Sequence, residues 1–260
     1  MTATSRYNLR LWLALAMSLL APYATALPVS TQWSFEIAVQ KNAPTPDAMS
    51  KAIVSAASLF GSVTVGSGQD TGEVDKLGYS FSTKISATPL LSHVFNNLSI
   101  LRQSNGRFIK GVAQTTRFSE KRGRSGELLM VTNAAAKRYE FFKAGVPTGT
   151  KPLAIPACDL ASAPYAFLGK PVPMKPAFLA ISDGRSISQI SLLSSSEKLK
   201  VNGQPINAIK LSGNSSFGPF DLWLRAEDGY PVRMRVGLGS KYGATIDQIA
   251  KSIPAKLVLF

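Results

Sequence analysis

Residues 220–236, FDLWLRAEDGYPVRMRV, constrain the fold more than any other stretch of the sequence. Every second residue from Phe220 to Leu224 is apolar, which is the period of a strand with one buried face. Asp228-Gly229 is a favoured tight-turn pair, because glycine adopts positive φ without a Cβ clash. Apolar residues alternate again from Val232 to Val236. The stretch predicts an antiparallel hairpin whose second face carries Trp223, Arg225, Arg233 and Arg235.

Residues 1–26 have the pattern of a secretory signal peptide. Arg6 and Arg10 precede an apolar run from Leu11 to Leu20, and Ala24-Thr25-Ala26 is a small-x-small cleavage site. The run is shorter than the roughly 20 residues that span a bilayer, although an uncleaved anchor is the alternative. We therefore expect one mature β-rich domain, residues 27–260, exported to the periplasm and lacking a transmembrane span.

The chain is strongly basic, with 29 Lys and Arg against 15 Asp and Glu. Without Arg6 and Arg10 the count is 27 against 15, a net charge of +12. Behind a signal peptide the available polyanions are lipid head groups, lipopolysaccharide phosphates and acidic envelope polymers. We expect such a component or a membrane surface as partner, and no nucleic acid; a merely soluble basic protein is the alternative.

Single cysteine and histidine residues limit the chemistry. Cys158 is the only cysteine, so no intramolecular disulfide can form and the core must hold the fold. A small buried residue is the expected role of Cys158, with a reactive thiol as the alternative. His93 has no neighbouring acid or cysteine, which makes it a poor metal ligand. We expect no metal and no cofactor, and a monomer.

The rest of the chain reads as further strands and a few short helices. Helices are predicted at Ala48 to Phe60, Leu90 to Asn97 and Asp159 to Phe167, and 61–72 as a short strand followed by a loop. Residues 145–176 hold seven of the 16 prolines, which excludes sheet interior and favours a lid or a rigid connection. Alternation predicts strands at 33–40, 77–86, 98–103, 106–118, 127–132, 136–143, 177–181, 186–193, 197–201, 205–212, 242–249 and 255–259. The expected fold is mainly β: a single strongly curved antiparallel sheet, half-barrel or barrel, with two or three short covering helices.

Motifs of the common enzyme classes do not occur in the sequence. It contains no G-x-S-x-G, H-E-x-x-H or C-x-x-C, and a Ser-His-Asp triad would have to use His93. Two acids distant in sequence can still meet in space. We therefore expect a protein that is not an enzyme, with a hydrolase of dispersed carboxylates as an alternative.

The order of motifs along the chain is W-x-F-x-I, G-Y-x-F, P-L-L, E-K-R-x-R, D-L-x-S-A-x-Y-x-F, V-N-G and the hairpin. From about Trp33 to Ile249 this order resembles the exported Gram-negative proteins grouped as the domain of unknown function DUF 3108. The resemblance implies an antiparallel β-rich envelope protein, similar to the curled half-barrels that carry lipoproteins or lipids through the periplasm, and it transfers no catalytic residues. The matching residues are Tyr79, Leu90, Leu91, Gly106, Phe108, Asp159, Tyr165, Asn202, Gly203, Trp223, Leu224, Asp228, Pro231, Val232 and Arg233.

The leading hypothesis is a protein that binds a lipidic or anionic envelope ligand in the concave side of the sheet. Arg225, Arg233 and Arg235, with Trp223, are the expected contacts to a head group. A filled core is the alternative for the wall residues. A structural or interaction protein that docks through its basic face on membrane, envelope polymer or a protein partner is the alternative function. The expected apolar wall is Trp33, Phe35, Phe81, Phe108, Leu222 and Met234.

Overall fold

The computed structural model describes residues 26–39, 63–89, 99–109, 112–169, 172, 174–216, 218–237 and 244–257. Fifteen strands form one sheet in these ranges. Their bounds are β1 Leu27–Val39, β2 Val63–Val74, β3 Gly78–Ala87, β4 Ser99–Ile109, β5 Val112–Arg122, β6 Leu128–Asn133, β7 Arg138–Lys143, β8 Val146–Pro152, β9 Cys158–Asp159, β10 Ala177–Ser182, β11 Ile187–Val201, β12 Gln204–Ser215, β13 Gly218–Arg225, β14 Pro231–Gly237 and β15 Ala244–Ala250.

The strand order follows the chain almost throughout. It runs β8-β7-β6-β5-β4-β3-β2-β1-β15-β14-β13-β12-β11-β10-β9, so β1 and β15 lie side by side in the middle of the sheet. Neighbouring strands are antiparallel, and the short β9 runs parallel to β10. The two edges, β8 and β9, therefore both come from the middle of the chain.

The prediction of a mainly β, single antiparallel sheet is confirmed, but its predicted shape is wrong. The sheet is neither closed nor strongly curled, because its ladder ends at β8 and β9. The helices predicted at 48–60 and 90–97 lie outside the described residues. Within those residues the predicted helix 159–167 is reduced to a 3-10 turn, Ala163–Tyr165, with Pro164 in its first positions, and no longer helix covers the sheet.

A buried segment, residues 157–168, takes the covering role that the sequence assigned to helices. Tyr165 stacks on Phe81 of β3 with ring centroids 4.5 Å apart. Further along the sheet, Phe118 and Met130 belong to a second buried cluster that includes Ala180 of β10. Side chains of β5, β6 and β10 thus belong to one buried cluster. This proline-bearing stretch packs in the core, which favours the rigid connection over a lid.

The predicted loop after Val65 is instead the body of β2. Its glycines are required by packing, since a Cβ on Gly68 would lie 2.8 Å from the Phe35 ring, and one on Gly72 would lie 2.5 Å from the Phe81 ring. Composition alone suggested a loop because glycine is depleted in strands. Here the missing side chains make room for aromatic residues of the neighbouring strands.

Two other boundaries were also predicted wrongly. Separate strands are predicted at 98–103 and 106–118, but residues 104–106 lie inside β4, where the pairing with β5 shifts register at Asn105/Gly106. Val146–Pro152 is a strand despite its prolines, which is tolerated because β8 is an exposed edge. The hairpin at 220–236 is confirmed as β13 and β14.

Candidate functional site

A cavity of about 430 Å³ opens on the inner face of the sheet. Its apolar wall comes from the centre of the sheet, where β1, β2 and β3 meet β14 and β15. Leu160 of the covering segment contributes on the other side. The apolar lining residues are Phe35, Ile37, Val65, Ile85, Ile100, Leu160, Met234, Val236 and Ile246. This volume lies in the range of small-molecule sites, which are mostly apolar with a few placed polar groups.

One margin of the cavity carries arginines that share a single acid. Arg102 of β4 and Arg122 of β5 line the cavity, and each Nε lies 2.6 Å from a different oxygen of Glu120. Burial alone would raise the pKa of Glu120, but the two guanidinium groups outweigh it and hold the pKa below its usual value. Glu120 is therefore ionised at neutral pH, and two positive charges share one negative charge.

A third arginine reaches the same cavity from the turn between β10 and β11. Asp183 accepts hydrogen bonds from the backbone N–H groups of Arg185 and Ser186, both at 2.9 Å, which fixes the turn. Arg185 is exposed and forms no side-chain ion pair within the described part of the chain. Asp183 and Arg185 both line the cavity. The cations of the margin are therefore Arg102, Arg122 and Arg185, and its acids are Glu120 and Asp183.

Two of the three arginines predicted to contact a head group, Arg233 and Arg235, lie elsewhere, in the Trp223 cluster on the outer face. This cluster comprises Trp223, Lys210, Arg233, Arg235, Glu197, Asp221 and Asp247. Arg233 and Arg235 sit over the indole, with their guanidinium carbons 4.8 and 5.6 Å from its centroid. The indole N–H donates to Glu197 at 2.7 Å.

Carboxylates balance the cations of the Trp223 cluster. Asp247 accepts hydrogen bonds from Arg233 and from Arg235 Nε, the latter at 2.6 Å. Burial would raise the pKa of Asp247, but these two arginines hold it below its usual value. With Lys210 the cluster has three cations and three acids, and the Trp223 side chain is buried. Its local charge is therefore balanced.

Arg225, the fourth predicted head-group residue, fastens the chain after β15. Its guanidinium forms a two-pronged pair with Asp228, at 2.8 and 2.6 Å, and Nη1 donates to the carbonyl of Pro254 at 2.8 Å. Burial would raise the pKa of Asp228, but Arg225 and the N–H of Leu257 hold it below its usual value. The guanidinium of Arg225 is thus bonded to Asp228 and to the chain after β15, and it serves the fold rather than a head group.

The predicted apolar wall residues divide between cavity and core. Phe35 and Met234 line the cavity. Trp33, Phe81 and Leu222 are buried in the main core, and Phe108 is half-buried against it. Of the predicted ligand-binding set, Leu222 and Met234 are therefore on the inner side of the hairpin and Trp223 with the arginines is on the outer side.

Sequence reasoning missed Arg102, Glu120, Arg122 and Arg185. A signal was present, since Glu120 interrupts the basic run from Arg117 to Arg124. What the sequence could not give was the β4–β5 register, which places Arg102 opposite Glu120.

Asp70 is a buried carboxylate to which no arginine or lysine of the described residues is hydrogen-bonded. Its Oδ2 accepts hydrogen bonds from Trp33 Nε1 at 2.7 Å and from the Tyr165 hydroxyl at 2.9 Å. Within the described part of the chain its Oδ1 has no partner, and neither has the hydroxyl of Thr83, the residue opposite it on β3. Burial raises the pKa of Asp70 to about 6. Asp70 therefore titrates near neutrality inside the core.

Asp159 is equally buried but fully hydrogen-bonded. It accepts from the hydroxyls of Ser104 and Thr115, at 2.5 and 2.6 Å, and from the backbone N–H groups of Ala161 and Ser162. Burial raises the pKa of Asp159, and these donors oppose the shift. The residue anchors the covering segment to β4 and β5.

Of the single cysteine and the single histidine, the structure describes only the cysteine. Cys158 is buried, and burial raises the pKa of its thiol, so the thiolate is disfavoured. His93 lies outside the described residues. Across the described ranges no group of His, Cys, Asp and Glu could hold a metal ion, and no helix is long and apolar enough to cross a membrane.

Comparison with models of known protein families finds none that matches this chain, and no curated protein matches it significantly.

Proposed function

We propose that this protein is an exported, non-enzymatic binding protein that holds a single-chain lipid with an anionic head group in the inner cavity. The observation that carries the proposal is the apolar cavity of about 430 Å³ with arginines at its margin. A chain of methylene groups gains about 0.8 kcal/mol for each group that it buries there.

The arginine margin supports the anionic head group. Arg102, Arg122 and Arg185 face two acids at this margin, Glu120 and Asp183, so one positive charge is in excess. Guanidinium groups bind carboxylates and phosphates through paired hydrogen bonds. A head group at this margin would complete the charge balance.

Export to the periplasm is part of the proposal. It is supported by the charged, apolar and small-residue segments of residues 1–26 and by the resemblance of the motif order to that of the DUF 3108 proteins. N-terminal sequencing of the protein from a periplasmic fraction is expected to begin at Leu27. An N-terminus at Met1 would contradict the proposed export but not the proposed binding of a lipid.

The binding proposal is tested with two substitutions on one strand. Ile246→Trp fills the cavity, whereas Ile249→Trp places the same side chain on the outer face of β15. In titration calorimetry we expect dodecanoate to bind the wild type and to lose at least about tenfold in affinity with Ile246→Trp only. Dodecanol, which lacks the charge, is expected to bind more weakly than dodecanoate.

Equal losses with both tryptophan variants, or no binding by a wild type that melts cooperatively, would contradict the proposal. Native mass spectrometry of protein purified from its own periplasm gives the natural ligand as an added mass. Met234→Glu is expected to abolish that mass, because a buried carboxylate would face the lipid chain.

The hydrolase alternative is not carried forward. Asp70 and Asp159 are buried in the core and do not line the cavity. At the cavity margin, Glu120 is bonded to two arginines and Asp183 accepts hydrogen bonds from the backbone of its own turn, so neither is placed as a catalytic acid or base. No observation favours a reaction over binding.

A further inference from the structure

The outer face of β1 to β5 carries a row of exposed lysine and glutamine side chains that runs across the strands. Gln32 pairs with Gln69, and Gln69 pairs with Lys84. Lys84 pairs with Leu101, which pairs with Lys121. At the other end of the row lies Lys251, the residue after the last residue of β15. Its N–H donates to the carbonyl of Gln32, which places it beside Gln32. We call these six residues the lysine row.

Strand spacing sets the distances along the lysine row. Neighbouring strands are about 4.8 Å apart, so three intervals separate Lys251 from Lys84 and two separate Lys84 from Lys121. The backbone positions of the cations are thus about 14 and about 10 Å apart. The amides of Gln32 and Gln69 fill the longer interval. The result is a periodic alternation of charge and hydrogen-bonding groups.

Hydroxyl groups flank the lysine row on both sides. On one side Ser34, Ser67, Ser86 and Ser99 are paired across four strands. On the other side Ser30 pairs with Thr71, and Thr71 pairs with Ser82. Each row lies about 7 Å from the lysine row, since alternate residues of a strand share one face. The surface therefore offers hydroxyls, amides and cations within reach of one ligand.

The cations of the lysine row are free to bind an anion. Lys84, Lys121 and Lys251 are exposed, and none forms an ion pair with a described residue. No acid lies in this row or in the two hydroxyl rows; Glu36, Asp247 and Glu73 on this face lie beyond them. This differs from the Trp223 cluster, where carboxylates balance the cations.

A groove of about 250 Å³ lies within this surface. It is lined by Gln32, Ser67, Gly68, Gln69, Lys84, Ser86 and Lys251. The groove is polar and contains no large apolar side chain. It is separate from the inner cavity, because the lining glutamines and lysines point to the opposite face of the sheet.

We propose that the lysine row and its hydroxyl rows form a binding surface for an acidic polysaccharide. Lysines would contact the carboxylates, and amide and hydroxyl groups would bond to the sugar hydroxyls. A polysaccharide fits better than a lipid surface because Leu101 is the only large apolar side chain in the row. Membrane-surface binding uses a contiguous apolar face beside its cations. This inference does not rest on the function proposed for the cavity.

Polygalacturonate is the probe for this surface, measured by calorimetry at low and moderate salt. We expect Lys84→Ser/Lys251→Ser to weaken binding about tenfold, since exposed ion pairs contribute up to about fivefold each. The control Lys198→Ser/Lys200→Ser removes the same charge from exposed positions on β11. It is expected to leave the affinity within about twofold. Higher salt is expected to weaken binding by the wild type.

A second variant separates sugar recognition from charge alone. Gln32→Ala/Gln69→Ala is expected to weaken polygalacturonate about threefold and to leave polyphosphate binding unchanged. The proposal is overturned if the wild type does not bind polygalacturonate, or if the β11 control loses as much as the lysine variant. It is also overturned if phosphatidylglycerol vesicles bind through the same lysines while the glutamine variant has no effect on either probe.

Discussion

The cavity margin and the Trp223 cluster are built from the same parts and differ in what surrounds them. In each, a buried carboxylate lies between two arginines: Glu120 at the margin and Asp247 in the cluster. Asp221 and Glu197 add further acids beside the cluster, and Trp223 covers it. The margin instead faces an open apolar cavity. Arginine pairs of equal local chemistry thus stabilise the fold in one place and are suited to bind a ligand in the other.

The largest expected effect comes from removing the carboxylate that two arginines share in each region. Glu120→Gln and Asp247→Asn each remove the charge that two arginines share, so each should lower the free energy of unfolding by about 3 kcal/mol or more at pH 7. Urea unfolding followed by tryptophan fluorescence measures both losses. Only Glu120→Gln is expected to tighten dodecanoate binding, because it increases the positive charge at the cavity. A change in dodecanoate binding with Asp247→Asn would contradict the distinction between a ligand-binding margin and a purely structural Trp223 cluster.

Asp70 sharpens the comparison, because it is a buried carboxylate with no arginine bonded to it. Its pKa is about 6 in the folded state against 3.8 ordinarily, so the native state holds a proton that the unfolded state releases. The contribution of Asp70 to stability therefore falls as pH rises from about 4 through 6, by about 3 kcal/mol in total. Asp70→Asn should remove this loss, and its amide would meet the unpaired hydroxyl of Thr83.

The measurement is the difference in unfolding free energy between Asp70→Asn and the wild type at pH 4.5 and pH 7.5. We expect the difference to shift in favour of the variant as pH rises. Asp247→Asn is the control, whose difference from the wild type should stay nearly constant between these two pH values and change only below about pH 4. The pKa of Asp247 is lowered, so its stabilisation is present above the unfolded-state pKa and is lost on acidification. Parallel trends for the two variants would contradict this assignment.

A smaller effect tests the excess charge at the margin. Arg185→Ser should weaken dodecanoate binding about fivefold and leave dodecanol binding unchanged, because only the charged head group would contact the guanidinium. The melting temperature is expected to change little, since Arg185 is exposed. Equal weakening of dodecanoate and dodecanol binding would show that Arg185 acts through the conformation of its turn and not through its charge.

The smallest effect belongs to the Trp223 cluster. Lys210 lies with its Nζ 4.9 Å from the indole centroid and 3.6 Å from Asp221. Lys210→Ser should cost about 0.5–1 kcal/mol of unfolding free energy and leave dodecanoate binding unchanged. Weaker binding without loss of stability would mean that the cluster, too, is a binding surface.

The sequence predicts local features of this fold well and pairing between distant segments poorly. The hairpin at 220–236 was predictable because alternation and Asp-Gly lie within one short stretch. β2 was missed because Gly66, Gly68 and Gly72 are explained only by the neighbouring strands that approach them. The Arg102–Glu120 pair and the contact of Tyr165 with Asp70 depend on register and on a covering segment, which no local pattern contains.

The position of β15 has a consequence for the order in which the protein is made. Among the described strands, β1 is synthesised first and β15 last, yet the two pair in the centre of the sheet. Until the ribosome releases β15, β1 and β14 each present an open edge able to pair with another chain. Without β15 the sheet therefore consists of two unfinished meanders, because this seven-residue strand is what joins their hydrogen-bonded ladders. A ribosome that stalls before Ala244 would leave an aggregation-prone product, however complete its other strands.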